Sequence, residues 1–78
     1  MIIKVKLFAS FREIANSDYI ELELNGEPTY NDLLIKIATK LGIDPREIRL
    51  LANDEPVKLD AEVKGSQKIM AFPPIAGG

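Results

Sequence analysis

The chain has 78 residues, 46% of them hydrophobic, enough for one small domain and not two. Ten Lys and Arg stand against twelve Asp and Glu without forming a basic stripe, which argues against nucleic acid as the main partner. There is no Cys and no His, so disulfides, thiolate nucleophiles, Cys-ligated metal sites and Ser–His–Asp or Cys–His catalysis cannot be built within the chain. The apolar runs fall far short of the ~18 residues of a membrane span. Lys4 and Lys6 interrupt the apolar core that a signal peptide would need. A cytoplasmic location is expected, with no membrane partner.

The first element alternates as a strand should. Ile3, Val5, Leu7 and Ala9 share one face and are assigned to the core; Ile2, Lys4, Lys6 and Phe8 share the other. Ser10-Phe11-Arg12-Glu13 fits a capping box that opens a short helix, closed by Asn16-Ser17-Asp18. Tyr19 to Leu24 alternates again, with Ile20, Leu22 and Leu24 inward, and Asn25-Gly26-Glu27-Pro28 is a turn signal. Next, Thr29 with Asp32 can cap a helix whose Tyr30, Leu33, Leu34, Ile37, Ala38 and Leu41 form one apolar stripe, and Gly42 stands where the helix would end.

Asp44-Pro45-Arg46-Glu47 predicts a further helical turn. Ile48 to Ala52 reads as a strand that is partly apolar on both faces. Asn53-Asp54-Glu55-Pro56 turns it, and Val57 to Leu59 returns. Residues 60–66 are expected to be irregular. Lys68 to Phe72 is the last strand, with Ile69 and Ala71 inward and Lys68, Met70 and Phe72 outward. A single amphipathic helix and one sheet with an apolar face bury each other, so the expected class is α+β: a mixed sheet with one long helix packed on one face.

The chain ends Phe72-Pro73-Pro74-Ile75-Ala76-Gly77-Gly78. Consecutive prolines fix φ, offer no N–H and can neither extend a helix nor sit inside a sheet. The expected division is a folded domain over residues 1–72 and a flexible tail over residues 73–78, with a reach of roughly 20 Å. The tail carries no charged side chain. Its reactive group is the Gly78 carboxylate, a poor acyl donor until a partner activates it, as an acyl-adenylate made with ATP. Gly77 and Gly78 suit that chemistry, because a backbone without Cβ atoms can pass through a narrow channel. The plain alternative is frayed chain; the position of the glycines directly after a core strand and a stiff Pro-Pro spacer favours function.

Phe8, Met70 and Phe72 all point outward. If the first and last strands are neighbours, they form one apolar partner-binding patch at the base of the tail; the alternative is satellite core at a sheet edge. Asp54, Glu55, Asp60 and Glu62 lack calcium-loop spacing, and no metal site is expected. Lys4, Lys6 and Lys68 would share a sheet face, either as a merely solvated surface or as a field that steers an acidic partner.

The whole chain, through Lys4-Val5-Lys6-Leu7-Phe8-Ala9, Phe11-Arg12-Glu13, the Asn53 turn and above all the tail, resembles the MoaD/ThiS family of ubiquitin-like sulfur carriers. Its Phe-Pro-Pro lead-in is most similar to the molybdopterin synthase branch. One departure is Gly65-Ser66-Gln67-Lys68, where the family usually shows Asp-Gly-Asp-Glu; this bears on acidic contacts there and leaves the tail chemistry untouched.

The resemblance implies a β-grasp fold and a non-catalytic, sulfur-donating subunit that binds no cofactor. An E1-like adenylating enzyme would use ATP to activate Gly78, and a persulfide sulfur donor would convert it to a thiocarboxylate. The tail (Pro73, Pro74, Ile75, Ala76, Gly77) would then enter the molybdopterin synthase large subunit and deliver sulfur to cyclic pyranopterin monophosphate, with Phe8 and Phe72 packed on that partner. Three alternatives remain open: a protein modifier joined through Gly78 to lysines, a thiamine-pathway carrier, and an interaction domain with an inert tail.

Overall fold

The computed structural model describes residues 1–74. Strand β1 (Ile2–Leu7) pairs antiparallel with β2 (Tyr19–Glu23), Val5 opposite Ile20. Alternation becomes burial: Ile3, Val5, Leu7, Ile20 and Leu22 are in the core, while Lys4, Glu21 and Glu23 stay exposed.

Helix α1 (Ser10–Ala15) follows β1, and its start differs from the expected capping box. Ser10 is already the first helical residue. Ala9 takes the N-cap position at φ 53° and ψ −131°, and no side chain caps the helix. Ala9 is therefore exposed at the bend and is not a core residue. Positive φ on a residue with a Cβ costs about 1–3 kcal/mol. The burial of Phe11 and the turn bond from its N–H to the Phe8 carbonyl at 3.1 Å offset that strain. Asn16 closes α1 in the left-handed conformation, as its residue type favours.

Helix α2 (Tyr30–Leu41) is built as its sequence dictates. Thr29 and Asp32 form the reciprocal capping box, and Gly42 ends the helix at φ 70°. All six stripe residues, Tyr30, Leu33, Leu34, Ile37, Ala38 and Leu41, are buried. The first two helical N–H groups, which have no partner within the helix, donate outward: Tyr30 to the Ala61 carbonyl at 3.0 Å and Asn31 to the Leu59 carbonyl at 2.9 Å. The irregular segment after residue 57 is thereby tied to α2. Val63, 3% exposed, is its anchor in the core, and the Tyr30 hydroxyl donates to Gln67 Oε1 from the same side.

A 3₁₀ turn over Pro45–Glu47 leads into β3 (Arg49–Ala52). The Asp44 carboxylate accepts from the Arg46 backbone N–H at 2.8 Å and from its guanidinium at 2.8 Å. The side-chain bond to Arg46, then the backbone bond, holds its pKa at about 2.

The return strand lies earlier than expected. Asn53 (φ 51°) and Asp54 (φ 68°) make a two-residue turn with both φ values positive, so β4 is Glu55–Pro56, and Val57 to Leu59 has left the sheet. Pro56 is tolerated because β4 is an edge. The last strand, β5 (Ile69–Phe72), lies between β1, to which it is parallel, and β3, to which it is antiparallel. The sheet order is β2-β1-β5-β3-β4. Helix α2 covers one face of this five-stranded sheet, and the core lies between them. Among the described residues no helix is long and apolar enough to cross a membrane.

Candidate functional site

The other sheet face is open, and strand register determines what it displays. The β1–β5 ladder sets Val5 beside Ile69, Lys6 beside Met70 and Leu7 beside Ala71. The Phe8 N–H donates to the Ala71 carbonyl at 3.1 Å, which continues the pairing one residue past β1. The β3–β5 ladder sets Leu51 beside Met70 and Arg49 beside Phe72. Phe8, Met70 and Phe72, singled out from alternation alone, are therefore brought together. With Leu51 they line one shallow apolar hollow of about 300 Å³, and all four are half-buried.

Leu51 was absent from the sequence-based patch. Its signal was present: Ile48, Leu50 and Ala52 face the core, so the residue between the last two must face out. What the sequence lacked was β3 as the neighbour of β5.

The hollow lies where the tail begins. Pro73 and Pro74 are half-buried directly after Phe72. Ile75, Ala76, Gly77 and Gly78, the remaining tail residues and the terminus expected to react, lie outside the described residues. Lys4, Lys6 and Lys68 do share the open face, with Lys4 Nζ 4.3 Å from the Tyr19 ring centroid and Lys6 Nζ 5.4 Å from that of Phe8. The acidic residues of the β3–β4 turn and the following loop do not converge. Among the described residues no group of three His, Cys, Asp or Glu side chains could hold a metal ion.

A second concavity, about 440 Å³, lies at the β3–β4 edge between Leu34, Ile48, Val57 and the half-exposed Leu59. Arg46 stands at its rim, paired with Asp44. It is remote in sequence from the tail and contains none of the residues predicted to act.

Comparison with known proteins supplies the context for this geometry. The sequence model of the ThiS family matches residues 5–78. The molybdopterin synthase sulfur carrier subunit of Drosophila yakuba is 32% identical over 81 residues, an alignment that covers 97% of this chain and 90% of that one. Among solved structures, a putative molybdopterin converting factor, subunit 1, from Pyrococcus furiosus superposes with a TM-score of 0.80 at 28% identity, covering 96% of this chain and 99% of that one. The small archaeal modifier protein 1 of Methanosarcina acetivorans superposes with a TM-score of 0.72 at 28% identity, covering 99% and 96% respectively.

Proposed function

The chain belongs to the ThiS family of ubiquitin-like sulfur carriers, a β-grasp protein in fold, and from that premise we propose that it is the sulfur-donating small subunit of molybdopterin synthase. Its work is done by Gly78. An E1-like enzyme joins the Gly78 carboxylate to the α-phosphate of ATP with release of pyrophosphate. A persulfide sulfur then attacks the acyl carbon, and AMP leaves. A second thiol of the donor system cleaves the resulting acyl disulfide to leave a thiocarboxylate. The tail carries that sulfur into the large subunit, which supplies the catalytic groups for its transfer to cyclic pyranopterin monophosphate. This chain supplies the sulfur and the docking surface, and ATP is consumed by the activating partner.

The observation that carries this reading is the placement of the apolar hollow. Phe8, Leu51, Met70 and Phe72 gather on the face of the central strand from which the tail sequence departs. A partner seated there receives the tail directly. The names of the fly and Pyrococcus relatives support the molybdopterin branch.

The Methanosarcina neighbour favours a second reading, in which Gly78 is conjugated to lysines of other proteins. Adenylation serves both outcomes. The test is intact mass after incubation with the adenylating enzyme, ATP and a persulfide donor, followed by addition of the large subunit and the pterin precursor. The full chain should gain the mass difference of one sulfur for one oxygen and lose it on turnover, and a chain lacking Gly78 should fold normally and do neither. A full chain that never gains sulfur, or a truncated one that still transfers it, overturns the proposal. Lysine adducts that vanish on truncation, without sulfur transfer, would select the second reading.

A further inference from the structure

The outer edge of β3 is paired over only half its length. In the β3–β5 ladder the Asn53 N–H donates to the Lys68 carbonyl at 2.9 Å. That bond sets the alternation: Asn53, Leu51 and Arg49 bond toward β5, while Ala52 and Leu50 turn their N–H and C=O groups the other way. Ala52 meets Glu55 there. Leu50 would meet Val57, but the pairing stops at Leu51 opposite Pro56, and Val57 has left the sheet. Among the described residues no backbone group bonds to Leu50 on that side. A backbone donor and acceptor therefore open, side by side, onto the apolar hollow of about 440 Å³ that Leu50 lines with Leu34, Pro56, Val57 and Leu59.

Backbone polar groups beside apolar surface need partners, and another extended chain satisfies both. Antiparallel pairing lets a single residue opposite Leu50 accept from its N–H and donate to its carbonyl. The side chain of that residue takes the same face as the buried Leu50 side chain, which is the face of the hollow. The residue after it stands opposite Arg49 in a non-hydrogen-bonded pair, where side chains approach most closely. Arg49 lies along this edge, its Nη1 donating to the carbonyls of Arg46 at 3.1 Å and Ile48 at 3.3 Å. Of the two arginines that line the hollow, Arg46 is paired with Asp44, whereas Arg49 has no carboxylate partner among the described residues. Among those residues no acid lines the hollow. Glu47 and Glu55, the next acids along the chain, are exposed and pair with neither arginine.

We infer that the β3 edge is a docking site for an extended segment of a partner protein, in which an aliphatic residue enters the hollow opposite Leu50 and the residue after it is Asp or Glu, facing Arg49. Main-chain bonds supply the attachment and the side chains on either face supply the selectivity, as in other cases of strand addition to a sheet edge. The register is fixed, because β4 already fills the edge beside Leu51 and Ala52. The pairing is short, because the Ile48 N–H is bonded to the Pro45 carbonyl and the Ile48 carbonyl to Arg49. Recognition therefore rests on two neighbouring side chains, one aliphatic and one acidic. The site lies off the open sheet face and uses no tail residue, so it goes beyond the sulfur-transfer reading and does not depend on it.

The experiment is NMR titration of the isotope-labelled full chain with the capped peptide acetyl-Ser-Leu-Glu-Val-Ser-amide. Saturable shifts centred on Leu50, Val57 and Leu59 are expected, with a dissociation constant of about 1 mM or below, together with slower hydrogen exchange at the Leu50 amide. Methylating the backbone nitrogen of the peptide's Leu removes the donor to the Leu50 carbonyl and should weaken binding about ten-fold. Replacing the peptide's Glu by Lys should weaken it about three-fold. Arg49→Glu, at an exposed position, should reverse that charge preference, so that the Lys peptide binds better than the Glu peptide. Four results would each overturn the inference: no saturable shift at Leu50, shifts centred on Phe8, Met70 and Phe72 instead, equal binding of the methylated peptide, or a charge preference that Arg49→Glu leaves unchanged. None of the four bears on whether Gly78 acquires sulfur, so this inference and the functional reading fail separately.

Discussion

Near the C-terminal ends of the central strands both faces are apolar, and they lead opposite lives. On the inner face, Val5, Leu7, Ile69 and Ala71 are at most 2% exposed beneath α2. On the outer face, Phe8, Met70 and Phe72 are as apolar and bulkier, yet they stay half-buried, lining one hollow with Leu51. At that end the strands offer a hydrophobic surface on both sides, and among the described residues there is one long helix to cover it. What distinguishes the covered face from the open one is which side that helix takes.

Four perturbations test that contrast and the local structure around it, from the largest expected effect to the smallest. Leu33→Ala opens a cavity on the covered side, where Leu33 is fully buried; it should cost about 2–5 kcal/mol in urea titration, a large share of the stability of so small a domain. Phe72→Asp, on the open side, should leave the urea midpoint nearly unchanged. It should weaken large-subunit binding by at least about 2 kcal/mol, as loss of a central aromatic anchor does, while adenylation of Gly78 persists. Should the two substitutions exchange signatures, the assignment of core and interface is wrong.

Thr29→Ala removes the cap of the covering helix and should cost about 1 kcal/mol by the same titration, with binding intact. The smallest effect belongs to Asp44. Its folded pKa is depressed from the ordinary 3.8 to about 2, so its stabilising contribution is present above the ordinary value and is lost as pH falls through about 2. Carboxyl NMR should show that midpoint, and Arg46→Ala should return it toward the ordinary range.

Much of this was legible in the residues, for reasons that differ by element. The α2 helix was readable from its cap to Gly42 because a twelve-residue amphipathic pattern repeats its signal each turn. Strand alternation gave the two faces of β1, β2 and β5. Local pattern failed where a backbone conformation, rather than a side-chain period, controls the path. At Ala9 a positive φ displaced the expected serine cap. At Asn53-Asp54 paired positive φ values shortened the hairpin and moved the return strand forward.

Val63 was missed because its segment was expected to be irregular, although Val57, Leu59, Ala61 and Val63 recur at every second residue and the burial of Val63 fastens that segment to the core. At the site, Phe8, Met70 and Phe72 were readable from alternation. Leu51 required knowing which strand pairs with β5, a long-range fact that local spacing does not carry.

The central place of β5 has a mechanical consequence. Strand neighbours flank it on both sides, β1 parallel and β3 antiparallel, so tension on residues beyond Phe72 loads the flanking ladders in shear, many bonds at once, whereas an edge strand would peel one bond at a time. A partner that hauls the terminus into a narrow channel, or a protease ring that grips it, therefore pulls against a well-anchored cord. The attachment should hold long after an equally long edge strand would have unzipped.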